Sequence, residues 1–337
     1  MMYMHSAILT TLLAARGLAK SSAIRRDDSS IVWNTTTCAT SELNIIKEWR
    51  NMNSSEKSAY IAAEKCLWNL PANTTFDGVV NRHDDLTAVH QYLTPIIHAV
   101  NFSQNSQGQF LPWHRLFMKT HEHLMRTECN YTGPMTWWDE TKDAGNYIDS
   151  PILDPVTGFG GNGTSPDYCV TDGPFANSTL TVGPTTTYTP EGFCLKRNVN
   201  ETYAAGAAES IIETCNNLTT YANAGIWCIG ASPHTAGHGG VGGGVEGSIG
   251  DIYVSPGDPL FYLHHAYIDR LWWKWQNLDI DTRLYEIGGY TTYPATDGGN
   301  TTTTLEYGLK LLGVWEDKVV GDVMDLHNSF LCHEYDY

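Results

Sequence analysis

Thirteen histidines lie along the 337 residues, and ten of them fall into two well separated groups. The earlier holds His83, His90, His98, His114, His121 and His123, the later His234, His238, His264 and His265. A fold must either disperse these imidazoles or gather them, and the spacing in the later group favours gathering. His234 and His238 are i and i+4, about 40° apart on a helical wheel, so both rings point the same way. Ser232-Pro233 reads as the N-cap and first position of a short helix that stops at Gly239-Gly240, after which Gly242 to Gly244 let the chain fold back closely. A third ring comes from His264 or His265 on a helix predicted over Asp258–Gln276, with Asp258 as N-cap and Pro259 at N1. His265 shares a face with Phe261 at i−4 and Asp269 at i+4, which places an aromatic ring and a carboxylate beside it.

The earlier group is less regular. His83 and His90 are seven apart and nearly eclipsed, whereas His98 follows His90 by eight with Pro95 between, so periodicity alone favours His83. His114 opens a helix within Phe110-Leu-Pro-Trp-His-Arg115, and His121 lies two turns on, about 10 Å away at 1.5 Å per residue, too far to share an ion. A single histidine is ordinarily a satisfied core or surface residue. Two groups of three imidazoles without cysteine or carboxylate ligands, on a chain with export signals, point instead to a pair of copper ions. Two adjacent metals can each give one electron to dioxygen.

The export signals begin at the N-terminus. Ala7 to Ala15 has the length of a signal-peptide core, Gly17 and Ala19 sit at −3 and −1 of a cleavage point, and Arg25-Arg26 is a dibasic processing site. Residues 1–26 therefore read as a signal peptide and short pro-segment, and 27–337 as one catalytic domain. Removing four basic residues and no acid takes the formal charge from −17 to −21. Ten sequons, at Asn34, Asn53, Asn73, Asn101, Asn130, Asn162, Asn177, Asn200, Asn217 and Asn300, make a secreted glycoprotein the expected product. Cys38, Cys66, Cys129, Cys169, Cys194, Cys215, Cys228 and Cys332 contain no C-x-x-C pair, which favours up to four disulfides whose pairing spacing does not reveal. With 37 acids against 20 bases and no basic run, nucleic acid and anionic membranes are poor partners. No other stretch is long and apolar enough to span a bilayer.

Further helices are predicted over Glu42–Asn51, over Glu56–Leu67 with Ser54 or Ser55 as cap, over Asp84–Tyr92 with Pro95 ending or bending it, over Pro112–Glu128 and over Tyr203–Asn216. Between Tyr131 and about Gly230 the abundance of Gly, Pro, Thr and Asn predicts ordered loops pinned by disulfides.

Asp258-Pro-Leu-Phe-Tyr-Leu-His-His-Ala-Tyr-Ile-Asp-Arg-Leu-Trp272 resembles the second copper signature of the type 3 copper proteins, most closely the short secreted fungal tyrosinases and catechol oxidases. Phe110-Leu-Pro-Trp-His-Arg-Leu-Phe117 resembles the first signature, and Lys47-Glu-Trp-Arg50 through Cys66-Leu67 is similar to the N-terminal helices of that group. The resemblance implies a mainly α fold, a four-helix-bundle core holding a dicopper centre, with long disulfide-pinned loops. It implies His90, His98 and His114 as ligands of the first copper and His234, His238 and His265 as ligands of the second, with His264 left to a structural hydrogen bond. It also implies Phe261 stacked on a ligand ring, and Thr235, Gly239, Ile252 and Phe261 as pocket residues.

Some positions depart from that group. Asn101 to Gln109 resembles an insertion, and Ile96 stands where many relatives carry a cysteine that crosslinks the second histidine, so no crosslink is expected. Thr235 and Gly239 follow the two α-helical ligands, and no acid upstream of His234 matches the family's water-holding glutamate. These departures favour oxidation of ortho-diphenols by O₂ to ortho-quinones, with weak monophenol hydroxylation; tyrosinase or ortho-aminophenol oxidase activity is the alternative, and oxygen carriage a more distant one. Tyr335-Asp-Tyr337 resembles the element that closes the catalytic domain, so no shielding C-terminal domain is expected.

Overall fold

Two reciprocal caps set the frame. In the computed structural model, which describes residues 36–98, 108–291 and 301–337, helix α1 (Ser54–Asn69) starts where the Asn53 side chain accepts the Glu56 N–H at 3.0 Å and the Glu56 carboxylate accepts the Asn53 N–H at 2.9 Å. The cap is therefore Asn53 and neither serine. Helix α2 (Arg82–Ile97) starts in the same way, with Asn81 and Asp84. It runs past the predicted end because Pro95 removes only the hydrogen bond to the Gln91 carbonyl, and the helix closes two residues later with the His98 N–H on Thr94 O at 2.9 Å. His98 is thus the residue that caps α2. Helix α3 spans Phe110–Glu128. The expected leader over residues 1–26, Asn34, Asn101, Asn300 and most of the expected 101–109 insertion lie outside the described residues.

The stretch predicted as a helix over Glu42–Asn51 is instead a 3₁₀ turn (Thr40–Glu42), strand β1 (Asn44–Glu48) and a second 3₁₀ turn (Trp49–Asn51). β1 is the middle of a parallel three-stranded sheet, between β2 (Thr136–Trp137) and β3 (His333–Tyr335), with Lys47 opposite Thr136 and Asn44 opposite His333. Ile45-Ile46 suits a strand, and distant backbone partners override the local helical pattern. The predicted Tyr203–Asn216 helix is broken into a turn (Glu201–Ala204), a 3₁₀ turn (Ala205–Ala207) and a helix (Glu209–Asn216).

Helix α4 (Ser232–Gly242) carries His234 and His238. Ser232 lies inside it and donates its hydroxyl to Gly206 O at 3.3 Å, and the cap position belongs to Ala231. The helix also runs through Gly239-Gly240, ending at Gly243 in the left-handed region with φ +65°. Each interior glycine costs about 1 kcal/mol relative to alanine. Close packing demands them: a Cβ on Gly237 would strike the His264 ring, and one on Gly240 would come within 2.6 Å of Tyr147. Helix α5 (Leu260–Asn277) begins where the Asp258 carboxylate accepts the Leu260 N–H at 3.0 Å. Arg197 holds that carboxylate through two bonds of 2.8 and 2.9 Å, both side chains fully buried, and so ties the central loops to the start of α5.

All eight cysteines are paired: Cys38–Cys332, Cys66–Cys129, Cys169–Cys194 and Cys215–Cys228. The first joins the two ends of the described chain, the second ties α1 to the end of α3, and the others pin the loop-rich middle, where Thr179–Val182 and Tyr188–Cys194 form a hairpin. The C-terminal Tyr335-Asp336-Tyr337 is knitted into the core: Tyr335 donates to Asp269 at 2.7 Å, Asp336 accepts from the Trp137 indole at 2.9 Å, and Arg270 donates to Tyr337 O at 2.6 Å. Among the described residues no helix is long and apolar enough to cross a membrane.

Candidate metal centre

α2, α3, α4 and α5 converge so that histidines separated in sequence become neighbours. The ring nitrogens of His90, His98 and His114 lie within 4.8 Å of one another, and those of His234, His238, His264 and His265 do likewise. The His114 and His265 rings stack at 4.2 Å and 9°, joining the two groups. His83 is not in the first group; its ring packs tilted against Trp68 at 4.3 Å, and its Nε2 faces Gly257 O at 3.2 Å. His121 pairs with the buried Glu64 at 2.9 Å.

Backbone carbonyls orient three of the rings. His90 Nδ1 lies 2.9 Å from Tyr253 O, His114 Nδ1 2.8 Å from Phe110 O, and His238 Nδ1 2.6 Å from Ile249 O. A carbonyl can only accept, so each Nδ1 carries the proton and each Nε2 presents a bare lone pair. His90 Nε2 faces His98 Nε2 at 3.1 Å, and His238 Nε2 faces His265 Nε2 at 3.3 Å. His114 Nε2 and His234 Nε2 are buried without a hydrogen-bond partner among the described residues. Lone pairs held this close repel one another, and a cation between them removes the repulsion and satisfies the orphaned atoms.

The environment keeps these imidazoles neutral. Burial, reinforced by neighbouring imidazoles, pushes His98, His114, His234 and His265 well below the usual value of 6.5, and burial takes His90 and His238 down to about 3. A ligand histidine must be unprotonated, so the site is poised for metal at neutral pH. The sign for stability follows: the unfolded chain takes up protons below 6.5 while the folded rings resist until about 3. Metal-stripped protein is therefore expected to hold its melting temperature above pH 6.5 and to lose stability steadily as pH falls through that window; a flat profile between pH 7 and 4 in calorimetry would contradict it.

Phe261 is fully buried between the groups, 4.2 Å from the His265 ring and 5.4 Å from that of His90. Phe110 is its counterpart on α3, 4.7 Å from His114 and 4.8 Å from His234. The signal for Phe110 was present, since Phe-x-x-x-His occurs on both α3 and α5. Asp269, expected beside His265, is taken by Arg115 and Tyr335 instead. His264 Nδ1 bonds to Glu140 at 2.6 Å, and Glu140 also accepts from Tyr147 at 2.8 Å. Burial raises the Glu140 carboxyl well above the usual range, against the Tyr147 hydrogen bond. Nothing local in the sequence marks Glu140 as the partner of His264.

His234, Thr235 and His238 are only partly buried, so the centre opens to solvent along α4. Ile252 is also partly buried and reaches α2 through its carbonyl, which accepts from Thr94 at 3.4 Å. Gly239 is buried beneath Tyr203.

A donor set made only of neutral imidazoles suits copper and other borderline metals. The family model described as the common central domain of tyrosinase matches residues 80–278. Tyrosinase ustQ of Aspergillus flavus is 32% identical over 86% of this chain and 78% of its own length. The N-acetyl-6-hydroxytryptophan oxidase ivoB of Emericella nidulans is 30% identical over 89% of this chain and 94% of its own. The structure of a mutant polyphenol oxidase from Thermothelomyces thermophila superposes with a TM-score of 0.79 at 27% identity, covering 90% of this chain and 91% of that one. With its helical core and two converging imidazole groups suited to a dinuclear copper centre that uses O₂, the chain belongs to the tyrosinase family of type 3 copper proteins.

Proposed function

We propose that this copper oxidase takes two electrons from each ortho-diphenol and passes them to dioxygen, two diphenols and one O₂ giving two ortho-quinones and two waters. The observation that carries the reading is the pair of all-imidazole groups with inward lone pairs, joined by the His114–His265 stack. His90, His98 and His114 are assigned to one copper, and His234, His238 and His265 to the other. His265 is preferred to His264 because its Nε2 faces His238 Nε2 at 3.3 Å and its ring stacks on that of His114 at 4.2 Å, between the two groups, whereas the His264 ring is packed beneath Gly237. When bound, the coppers supply one electron each, so that dioxygen is reduced without release of a radical.

The chain's own residues hold and shield the centre. The carbonyls of Tyr253, Phe110 and Ile249 lock three rings in one tautomer, and Phe110 and Phe261 wedge the ligands apart and keep that side dry. Phenols approach from the open side, along α4 past Thr235. Thr235 offers a hydroxyl there but no basic group to draw the proton from a monophenol, which supports a preference for diphenols. We further assign residues 27–337 to one secreted, glycosylated catalytic unit released from the 1–26 leader; four disulfides suit an oxidising compartment.

A second reading rests on the relative named as an N-acetyl-6-hydroxytryptophan oxidase, which makes a hydroxyindole a candidate substrate here too. Oxygen uptake by the copper-loaded protein on 4-methylcatechol, tyrosol, 2-aminophenol and 6-hydroxyindole separates the readings. The diphenol is expected to react fastest and tyrosol at least about tenfold more slowly, equivalent to about 1.4 kcal/mol of barrier. Lag-free hydroxylation of tyrosol at a matching rate would defeat the diphenol preference, and reversible oxygenation without quinone would defeat the enzyme reading.

A further inference from the structure

The surface packed on Gly239, the residue after His238, does not come from its own helix. Gly239 follows His238, and a Cβ placed there would lie 2.7 Å from both Cγ and Cδ1 of Tyr203, a residue of the short Glu201–Ala204 turn. Gly239 is thus the seat of a ring delivered from another segment. That turn is clamped. The Asn200 side chain accepts the N–H of Thr202 and Tyr203 at 3.0 and 3.4 Å, and the Asn200 N–H donates to Gly240 O at 2.8 Å. The Glu201 carboxylate accepts the N–H of Tyr147 and Ile148 at 2.8 and 2.9 Å, and Ala204 is fully buried. Yet the Tyr203 side chain at the tip of this rigid turn is left 43% exposed.

Helical geometry relates the ring to the opening. Thr235 and Gly239 are i and i+4, about 40° apart, and lie about 60° and 100° round α4 from His238. Ser232, His234, Thr235 and His238 are the partly exposed residues of α4, so the ring seated on Gly239 neighbours the partly exposed strip of the helix that carries the two ligands. A held aromatic ring, packed on one side and wet on the other, offers a planar surface to another ring.

We propose that Tyr203 is a specificity-determining residue, an aromatic wall against which a planar phenolic or hydroxyindole ring stacks as it approaches the second metal. This rests on the assignment of His234 and His238 as ligands. Its test uses Tyr203→Ala, Tyr203→Phe, Gly239→Ala and the Tyr203→Ala/Gly239→Ala double variant. Two readings are taken on each: KM and kcat for 4-methylcatechol with the copper-loaded enzyme, and Kd of 4-methylcatechol for the zinc-loaded protein, which cannot oxidise it. Loss of one aromatic stack is expected to raise KM and Kd about three- to tenfold in Tyr203→Ala. Kcat should change less than KM, and Tyr203→Phe should restore binding. Gly239→Ala should mimic Tyr203→Ala by displacing the ring, and should add nothing in the double variant. Unchanged Kd in Tyr203→Ala at full metal content would overturn the wall, as would a Gly239→Ala effect that persists undiminished without the ring. Fewer than two metal ions per wild-type chain would count against the ligand assignment, and against the wall with it.

Discussion

Replacing His238 with alanine is expected to leave about one tightly held copper per chain and to lower the oxidation rate by about 10³-fold or more, since a coordinated metal contributes several kcal/mol to the reaction it supports. The His238 imidazole spans the wall of the centre, its Nδ1 on Ile249 O at 2.6 Å and its Nε2 facing His265 at 3.3 Å. Without it the second group keeps too few inward lone pairs to hold an ion between them. The cost to the fold is modest, about 1 kcal/mol for one hydrogen bond, because the ring is only partly buried. Copper content by elemental analysis and oxygen uptake on 4-methylcatechol provide the check, with His264→Gln as the companion. That variant is expected to keep two coppers, whereas His265→Ala is not. Two coppers and undiminished turnover in His238→Ala would sink the assignment, and loss of copper in His264→Gln would transfer the ligand role to His264.

Arg115→Met carries the second large effect, this time on stability. The guanidinium is buried and serves four partners: Asp269 at 2.5 Å, the carbonyls of Val323 and Met324 at 2.9 Å each, and Gln276 at 3.3 Å. It also lies 3.7 Å over the Trp272 ring. Methionine fills much of the volume but leaves the Asp269 carboxylate without its counter-charge, with only the Tyr335 hydroxyl still on it, and the Val323 carbonyl without its donor, while Gln276 still bonds Met324 O; breaking a buried pair from one side costs about 3–5 kcal/mol. The midpoint of urea unfolding should fall accordingly. Adding Asp269→Asn should recover part of the loss, because the uncompensated charge is then gone. A shift below about 1 kcal/mol would place Arg115 among the ordinary surface substitutions.

These two residues illustrate what sequence could and could not reveal. His238 stood out by its spacing from His234, a pattern that one helix suffices to explain. The partners of Arg115 come from α5 and from the C-terminal segment, and no local pattern announces them. Asp269 shows the corresponding error. At i+4 from His265 it looked like a neighbour of the site, but a carboxylate in a dry core goes to the nearest full charge, which is Arg115. The same distinction explains Glu42–Asn51, whose amphipathic pattern yielded to two parallel partners at Thr136–Trp137 and His333–Tyr335. The reading of His83 over His98 by periodicity fails on similar grounds: α2 continues through Pro95, and the ring of its cap residue turns back to face His90.

Contacts within about four residues suffice for the Asn-capped and proline-tolerant helices, the facing pair on α4 and the Phe-x-x-x-His step on α3 and α5, since caps and periodicity are short-range effects. Even composition, an even cysteine count and a surplus of histidines in two groups were legible without a structure. The pairing of those cysteines, the bonding of His264 to Glu140 and the seating of Tyr203 on Gly239 join residues far apart along the chain. They follow from which groups are left unsatisfied or unfilled once the helices have packed, and that is a property of the assembled core.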